Sequence, residues 1–265
     1  MNDILVTGGT GFVGSHMIDY ILKYAIRPEQ KIWCTKRWLE DTKNVDHIDD
    51  KRFQFIDCDF NDAPSVYRAI EISKPEKVFH FAAQSFPEVS FKIPVITLQT
   101  NVIGTTHLLE SIHNSEFDPI IVSISSSEVY GNNKNIPWRE DSDRVLGDTS
   151  VDRWCYSSSK SLIEHMLYAL HNSQKIKFST VRFFNVYGPR QSPIYVVSQT
   201  IHRLLNNKSP DLYDNGTQIR CFTYIDDAVE GMIKASTSNL AIGHAFNIGS
   251  EVQSTVKEVV NLCKN

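Results

Sequence analysis

The chain has 265 residues, 41% of them hydrophobic and 22% charged, with 12 Gly and 10 Pro, an ordinary globular composition that excludes collagen-like and disordered classes. A formal charge of −4 leaves no basic excess for nucleic acid or an anionic membrane, and no apolar run approaches a membrane span, so neither partner is expected and a cytoplasmic location is. Five scattered Cys without a Cys-x-x-Cys pair, and nine His without ligand spacing, predict reduced thiols and no metal site.

In chain order, β-branched apolar runs alternate with helix-period stretches up to about residue 185, the pattern of an α/β fold whose parallel sheet is covered on both faces. Strands are predicted at 4–7, 31–35, 53–57, 77–81, 120–125 and 178–183, and helices at 12–24, 62–72, 94–113 and 156–171. The first strand runs into Thr7-Gly8-Gly9-Thr10-Gly11-Phe12-Val13-Gly14 and then a helix, with Gly8, Gly11 and Gly14 evenly spaced. Glycine there permits a tight turn and lets backbone N–H groups approach a pyrophosphate, to which the helix N-terminus adds positive potential.

The second strand ends in Thr35-Lys36-Arg37, where dinucleotide folds usually carry an acid for the ribose 2′-hydroxyl. A missing acid and two cations favour NADP over NAD, because a guanidinium grips a 2′-phosphate. After the third strand, Asp59 of Asp57-Cys58-Asp59-Phe60 is either an acceptor for the adenine amino group or a solvated loop carboxylate. Residues 131–153 read as a polar surface loop bordering the site. The stripe Leu162, Ile163, Met166, Leu167 and Leu170 reads as core or subunit contact. Past residue 186 the alternation becomes irregular, so 1–185 is expected to be mainly dinucleotide-binding and 186–265 mainly a smaller substrate lobe interleaved with it.

The strongest chemical signal is Tyr156-Ser157-Ser158-Ser159-Lys160 at a helix start, preceded by Ser125-Ser126-Ser127-Glu128 at the end of the fifth strand. One helical turn puts Lys160 on the face of Tyr156, where its ammonium is expected to lower the phenol pKa. Such a tyrosine can take a proton from an alcohol while hydride leaves the same carbon for a nicotinamide.

At these residues the chain resembles the extended short-chain dehydrogenase/reductase family, in its nucleotide-sugar epimerase and dehydratase branch. The resemblance also runs through His80-Phe81-Ala82-Ala83, Asn101-Val102-Ile103-Gly104-Thr105, residues 182–190 and residues 220–227. It implies a Rossmann-type doubly wound parallel sheet with a small C-terminal substrate lobe, and a catalytic Ser126, Tyr156 and Lys160. Cofactor contacts, to NADP or NAD, are implied at Gly8, Thr10, Gly11, Phe12, Val13, Gly14, Lys36, Arg37, Asp59, Phe60, Phe81, Ala82, Ala83, Asn101, Tyr156, Lys160 and Phe184. A nucleoside-diphosphate sugar is implied at Ser85, Ser126, Asn185 and Arg220, and a homodimer through the helices at 94–113 and 156–171.

Within that family, oxidation at sugar C4 acidifies the neighbouring C–H bonds, and the outcome is 4-epimerisation, 4,6-dehydration or loss of a C5 carboxylate. Glu128 resembles the C5 base of the dehydratases, while Ser127 stands where the dTDP-glucose type has aspartate. Residues 82–94 and the Lys36-Arg37 turn look like enzymes acting on GDP-mannose, whereas Arg153-Trp154 looks like some decarboxylases, with Arg153 receiving a carboxylate. A 4-keto-6-deoxy sugar-nucleotide reductase and a non-catalytic dinucleotide-binding protein are the other readings. Family members continue beyond the strand at 246–250 and its helix, so a shortened copy, or a nucleotide pocket closed some other way, is expected at Asn265.

Overall fold

The computed structural model describes residues 3–264; Met1, Asn2 and Asn265, the outer ends of the two expected lobes, lie outside the described residues. Seven parallel strands form one sheet: β1 (Asp3–Thr7), β2 (Ile32–Lys36), β3 (Phe53–Asp57), β4 (Pro75–His80), β5 (Ile120–Ser126), β6 (Lys177–Phe183) and, late in the chain, β10 (His244–Ile248). Their order is β10-β6-β5-β4-β1-β2-β3, so the chain leaves β1 to one side for β2 and β3 and returns on the other for β4. That reversal is the point at which open α/β sheets bind ligands, at the carboxyl ends of the strands.

Alternation along β1 shows why both faces are covered. Leu5 joins a core with Val66, Ile70, Leu108, Leu109 and Ile163 on one face, while Ile4 and Val6 join Met17, Ile18, Ile225, Val229 and Met232 on the other. The first layer is built by α2 (Ala63–Ser73), α5 (Gly104–His113) and α6 (Trp154–Gln174), the second by α1 (Phe12–Tyr20) and α8 (Ile225–Thr237). Local chemistry sets the ends of α2: the Asp62 side chain accepts from Ser65 N, Pro64 sits in the first turn, and Lys74 closes the helix in a left-handed conformation.

Two predicted helices are interrupted. Residues 94–113 form α4 (Pro94–Leu98), a π turn (Gln99–Ile103) and α5, and residues 12–24 form α1 followed by a π turn over Ile21–Ala25. Each insertion is one wide turn in an otherwise continuous apolar period, which residue spacing does not reveal. The remaining short elements are α3 (Pro87–Lys92), β7 (Val186–Tyr187), α7 (Val196–Leu205), β8 (Ile219–Cys221), β9 (Thr223–Tyr224), β11 (Gln253–Thr255) and α9 (Val256–Leu262). β7 pairs with β9 and β8 with β11, outside the main sheet.

One buried polar network ties these layers together. Arg182 on β6 donates to Glu164 on α6 through Nε (3.0 Å) and Nη2 (2.6 Å), and the two side chains are only 7% and 5% exposed. Ser125 on β5 donates to the same carboxylate at 2.5 Å, and Arg182 Nη1 donates to Tyr130 OH and to the carbonyl of Glu140. Tyr130 OH in turn donates to Asn247 on β10, and Asn247 N donates to the Glu140 carboxylate. Each charge is therefore compensated, and removing one strands the other. Glu164→Ala or Arg182→Met should lower the unfolding free energy by about 3–5 kcal/mol in urea titrations, with the double apolar replacement recovering much of the loss; equal losses for single and double variants would contradict the pairing.

Candidate active site

The glycine turn packs against the loop that follows β4. Gly8 adopts φ +63°, and a Cβ there would lie 2.9 Å from Ala82 N; a Cβ on Gly14 would lie 2.5 Å from the Gly8 carbonyl oxygen. Gly8 and Gly14 thus permit a backbone approach that no side chain allows. A Cβ on Gly9 would sit 2.6 Å from Cys34 Sγ, and burial pushes that thiol up to about 12. Helix α1 opens at Gly11 without a side-chain cap, the arrangement of an anion-binding helix terminus. This cradle fits a dinucleotide pyrophosphate, although Gly11 N is itself spent on the Gly8 carbonyl at 3.1 Å.

Beneath it runs a directed relay. Thr105 Oγ1 donates its one hydrogen to the Asn101 carbonyl (2.6 Å) and so accepts from His80 Nε2–H (2.9 Å), which leaves Nδ1 of the neutral ring to accept from Thr7 Oγ1 (2.8 Å), itself the acceptor for Ala82 N. Burial, with the Lys160 ammonium adding to it, drives His80 down to about 3, so the ring is neutral as the relay requires. Asn101, on the π turn, spans Gln84 N and Gln84 O and donates to Ser159 Oγ, joining the β4 loop to α6. Phe81, Ala82 and Ala83 line this loop half-buried.

Across the cleft, Ser126 ends β5 and its Oγ accepts from Glu128 N at 3.2 Å. Buried Tyr156 is hydrogen-bonded to Ser126 and feels both the Glu128 carboxylate and the Tyr195 phenol. Glu128 is held by Arg153, whose Nη2 lies 2.9 Å from each carboxylate oxygen. Buried Lys160 donates to the Ile124 carbonyl at 2.9 Å and is pushed down to about 8 by burial, against the pull of Glu164. The expectation that Lys160 lowers the phenol is corrected: burial raises Tyr156 above the ordinary tyrosine value, Tyr195 and Glu128 add to it, and only the Ser126 hydrogen bond opposes. Desolvation outweighs a cation one helical turn away.

Lys36 is paired with Asp57 at 2.5 Å, and Arg37 faces Glu40, whose carboxylate also accepts from Thr10 Oγ1 at 2.7 Å. An acid therefore does stand beside the glycine turn, delivered from beyond the strand. Asp59 is exposed with one oxygen accepting from Asn61 N, whereas the Phe60 side chain is buried in the core, its ring centroid 5.5 Å from that of His80. On the substrate side, Ser85 Oγ meets Tyr195 OH at 3.4 Å, Asn185 (φ +36°) donates to the Cys221 carbonyl, and exposed Arg220 donates to the Ile219 carbonyl. Phe184 packs between Trp138 and Gly249. Tyr195 and Glu40 carry no motif and were not anticipated.

The described helices include none long and apolar enough to cross a membrane. The GDP-mannose 4,6 dehydratase family model matches residues 5–265. The chain is 29% identical to the dTDP-D-glucose 4,6-dehydratase of Dictyostelium discoideum, with 98% of this chain and 62% of that protein aligned. It is 31% identical to the UDP-N-acetyl-alpha-D-glucosaminuronate decarboxylase of Bacillus cytotoxicus, over 96% of this chain and 77% of that one. A double mutant of dTDP-glucose 4,6-dehydratase from Streptomyces venezuelae, solved with NAD bound, superposes with a TM-score of 0.88 at 26% identity, covering 98% of this chain and 79% of the other. The protein is thus a Rossmann-fold member of a dinucleotide-dependent class. More narrowly, it belongs to the extended short-chain dehydrogenase/reductase family of NAD-dependent nucleotide-sugar epimerases and dehydratases.

The Lys160 shift has a measurable sign. Its charged form is the one that burial disfavours, so the folded state is penalised below about 8, and the penalty fades as pH rises from there toward 10.5, where the unfolded chain also releases the proton. Across that window the stability of the unaltered protein should rise relative to Lys160→Met; a pH-independent difference in unfolding free energy would contradict the buried ammonium.

Proposed function

We propose that the protein dehydrates a nucleoside-diphosphate hexose at C4–C6 through transient oxidation at C4, with Ser126, Glu128, Tyr156 and Lys160 as its working residues. The carrying observation is that Tyr156 is bonded to Ser126 and lies within electrostatic reach of the Glu128 carboxylate, so a hydroxyl-activating group and a carbon base share one cleft. NAD(P) bound at the glycine turn would accept hydride from C4 and return it to C6.

Tyr156 takes the C4 hydroxyl proton, and Ser126 orients that hydroxyl through the same bond network. Burial holds the phenol protonated, so its ionised form needs a positive neighbour; Lys160, one turn on and balanced near 8, is the cation this chain supplies. Once C4 is a ketone, Glu128 removes the acidified C5 proton and passes it to the C6 hydroxyl, which leaves as water; when hydride returns to C6, C5 regains a proton that has exchanged with solvent at Glu128. Ser85, Asn185 and Arg220 hold the diphosphate-sugar portion in the lobe that residues 186–265 mainly form. The NADP preference expected from Lys36 and Arg37 is not carried into this reading, because both cations already face carboxylates. Five free thiols suit the reducing cytoplasm.

One observation favours a second substrate. Arg153, half-exposed on Glu128, is placed to receive a sugar carboxylate, and a 4-keto uronate would lose carbon dioxide at C5 without any proton abstraction by Glu128. The test is a panel of GDP-, dTDP- and UDP-hexoses and UDP-glucuronate, followed by mass and solvent deuterium. Dehydration puts deuterium at C5 with no net cofactor use; carbon dioxide release from the uronate alone selects the second reading. Tyr156→Phe should lower turnover at least about 100-fold, with cofactor affinity roughly intact. Glu128→Gln should spare C4 oxidation and block elimination, and full dehydration by that variant refutes the assignment.

The same reading includes a homodimer. Val95, Ile96 and Ile103 on the α4–α5 segment and Leu162 on α6 are exposed apolar side chains, and a groove of about 410 Å³ between α5 and α6 is lined by Leu109, Met166 and Leu170. Sedimentation should give twice the chain mass, and Ile103→Glu with Leu162→Glu should give monomer; a monomer without substitution rules the dimer out.

A further inference from the structure

We propose that Tyr195, paired with Ser85, grips the hexose by the ring hydroxyl beside C4 on the side away from Glu128, and so keeps the 4-keto sugar from turning over in the cleft. The inference rests on transient C4 oxidation as the reaction and adds what decides its stereochemical outcome.

The phenol spans the cleft. Tyr195 immediately precedes α7 in the C-terminal lobe, and its OH lies 3.4 Å from Ser85 Oγ on the loop that follows β4. Its ring stands edge-on to Phe86, with centroids 5.5 Å apart and planes at 79°. Burial raises the Tyr156 phenol, and Tyr195 adds to that rise, followed by Glu128 from just beyond β5. Tyr156 works at C4 and Glu128 at C5. A group that reaches Tyr156 from the β4 end of the sheet, rather than the β5 end, stands toward the other ring neighbour, C3.

Both walls are held without these hydroxyls. Asn101 Oδ1 accepts from Gln84 N, its Nδ2 donates to Gln84 O, and Gln84 Nε2 donates to the Phe86 carbonyl at 2.7 Å, which fixes the backbone on either side of Ser85. Opposite, the Tyr195 carbonyl accepts from Gln199 N (2.7 Å) and Ser198 Oγ (3.1 Å). Ser85 is exposed and Tyr195 half-buried, and among the described residues each of the two hydroxyls has the other as its hydrogen-bond partner.

The chemistry of the pair selects what it binds. Hydroxyl-to-hydroxyl bonds are ordinarily about 2.7–2.8 Å long, so this contact is weak and easily exchanged. Each hydroxyl can donate once and accept twice. A sugar hydroxyl, itself donor and acceptor, can join both partners with every proton matched, whereas a phosphate oxygen only accepts. The consequence is stereochemical: once hydride has left C4 the ketone is flat, and hydride returning to its opposite face, after the sugar turns over, gives the 4-epimer. A ring held at C3 keeps one face to the cofactor, which leaves C5 deprotonation by Glu128 as the next step.

The experiment uses the full chain and three pairs of probes: UDP-glucose and UDP, dTDP-glucose and dTDP, GDP-mannose and GDP. Affinities are read by calorimetry with NADH present, which cannot take hydride, and products by proton NMR with NAD⁺. Tyr195→Phe keeps the ring on Phe86 and removes the hydroxyl. One hydrogen bond corresponds to roughly three- to tenfold in affinity, so this variant should bind the sugar nucleotide weaker by about that factor and the matching nucleoside diphosphate as before. It should also release 4-epimer, of which the unaltered protein makes none. Ser85→Ala should act in the same direction, and carries the test if Tyr195→Phe does not fold. Unchanged sugar-nucleotide affinity overturns the proposal, as does an equal loss for the bare diphosphate, which a mere clasp between lobes would give. So does 4-epimer from the unaltered protein, or its absence from both variants. If the unaltered protein dehydrates none of the three hexoses, the reading of the reaction fails, while the affinity comparison still decides whether Tyr195 holds the sugar.

Discussion

Helix α6 bears both Tyr156 and Lys160, and what fixes it to the sheet is the Arg182–Glu164 pair, a full charge on each side, both buried. Ion pairs so deeply buried add little net stability over apolar contacts, but they are intolerant of misplacement, because a half-formed pair leaves a naked charge. Here that intolerance is spread over several elements. The same guanidinium reaches Tyr130 and the Glu140 carbonyl, and through Asn247 the network reaches β10, so helix, sheet and the polar loop after β5 share one geometry. The tyrosine and serine of the cleft inherit their relative position from it.

A second constraint acts at the other end of the cleft. Contact between the Gly8 backbone and the loop after β4 leaves no room for side chains, and the Thr7–His80–Thr105–Asn101 relay gives that contact one hydrogen-bond direction. The relay works only with a neutral ring, which burial guarantees. The glycine turn and helix α6 are thus joined twice, once through Asn101 to Ser159 and once through the sheet itself.

Much of this was legible in the chain. The strand at 53–57 was placed to the residue, and the others within two or three residues, because β-branched runs between glycine and proline punctuation have few alternative readings. The glycine turn and the Tyr156–Lys160 pair were visible as local spacing, whereas Ser126 was singled out from its serine run by family resemblance. What spacing does not carry is desolvation and return contacts. The phenol pKa depends on how completely Tyr156 is enclosed, the neutralisation of Lys36 depends on its neighbour across the strand pair, and Glu40 reaches the glycine turn only because Leu39 takes an uncommon backbone angle. The π turn at Asn101 was hidden for a related reason: one inserted turn barely disturbs an apolar period.

The sulfur wedged under Gly9 has its own chemical meaning. Thiols attack electrophiles and reduce peroxides as thiolates, and at about 12 the Cys34 group holds its proton throughout the range in which cells live. The glycine turn therefore rests on a buried thiol that keeps its proton, the least nucleophilic form of a cysteine, although the turn is built around a sulfur atom.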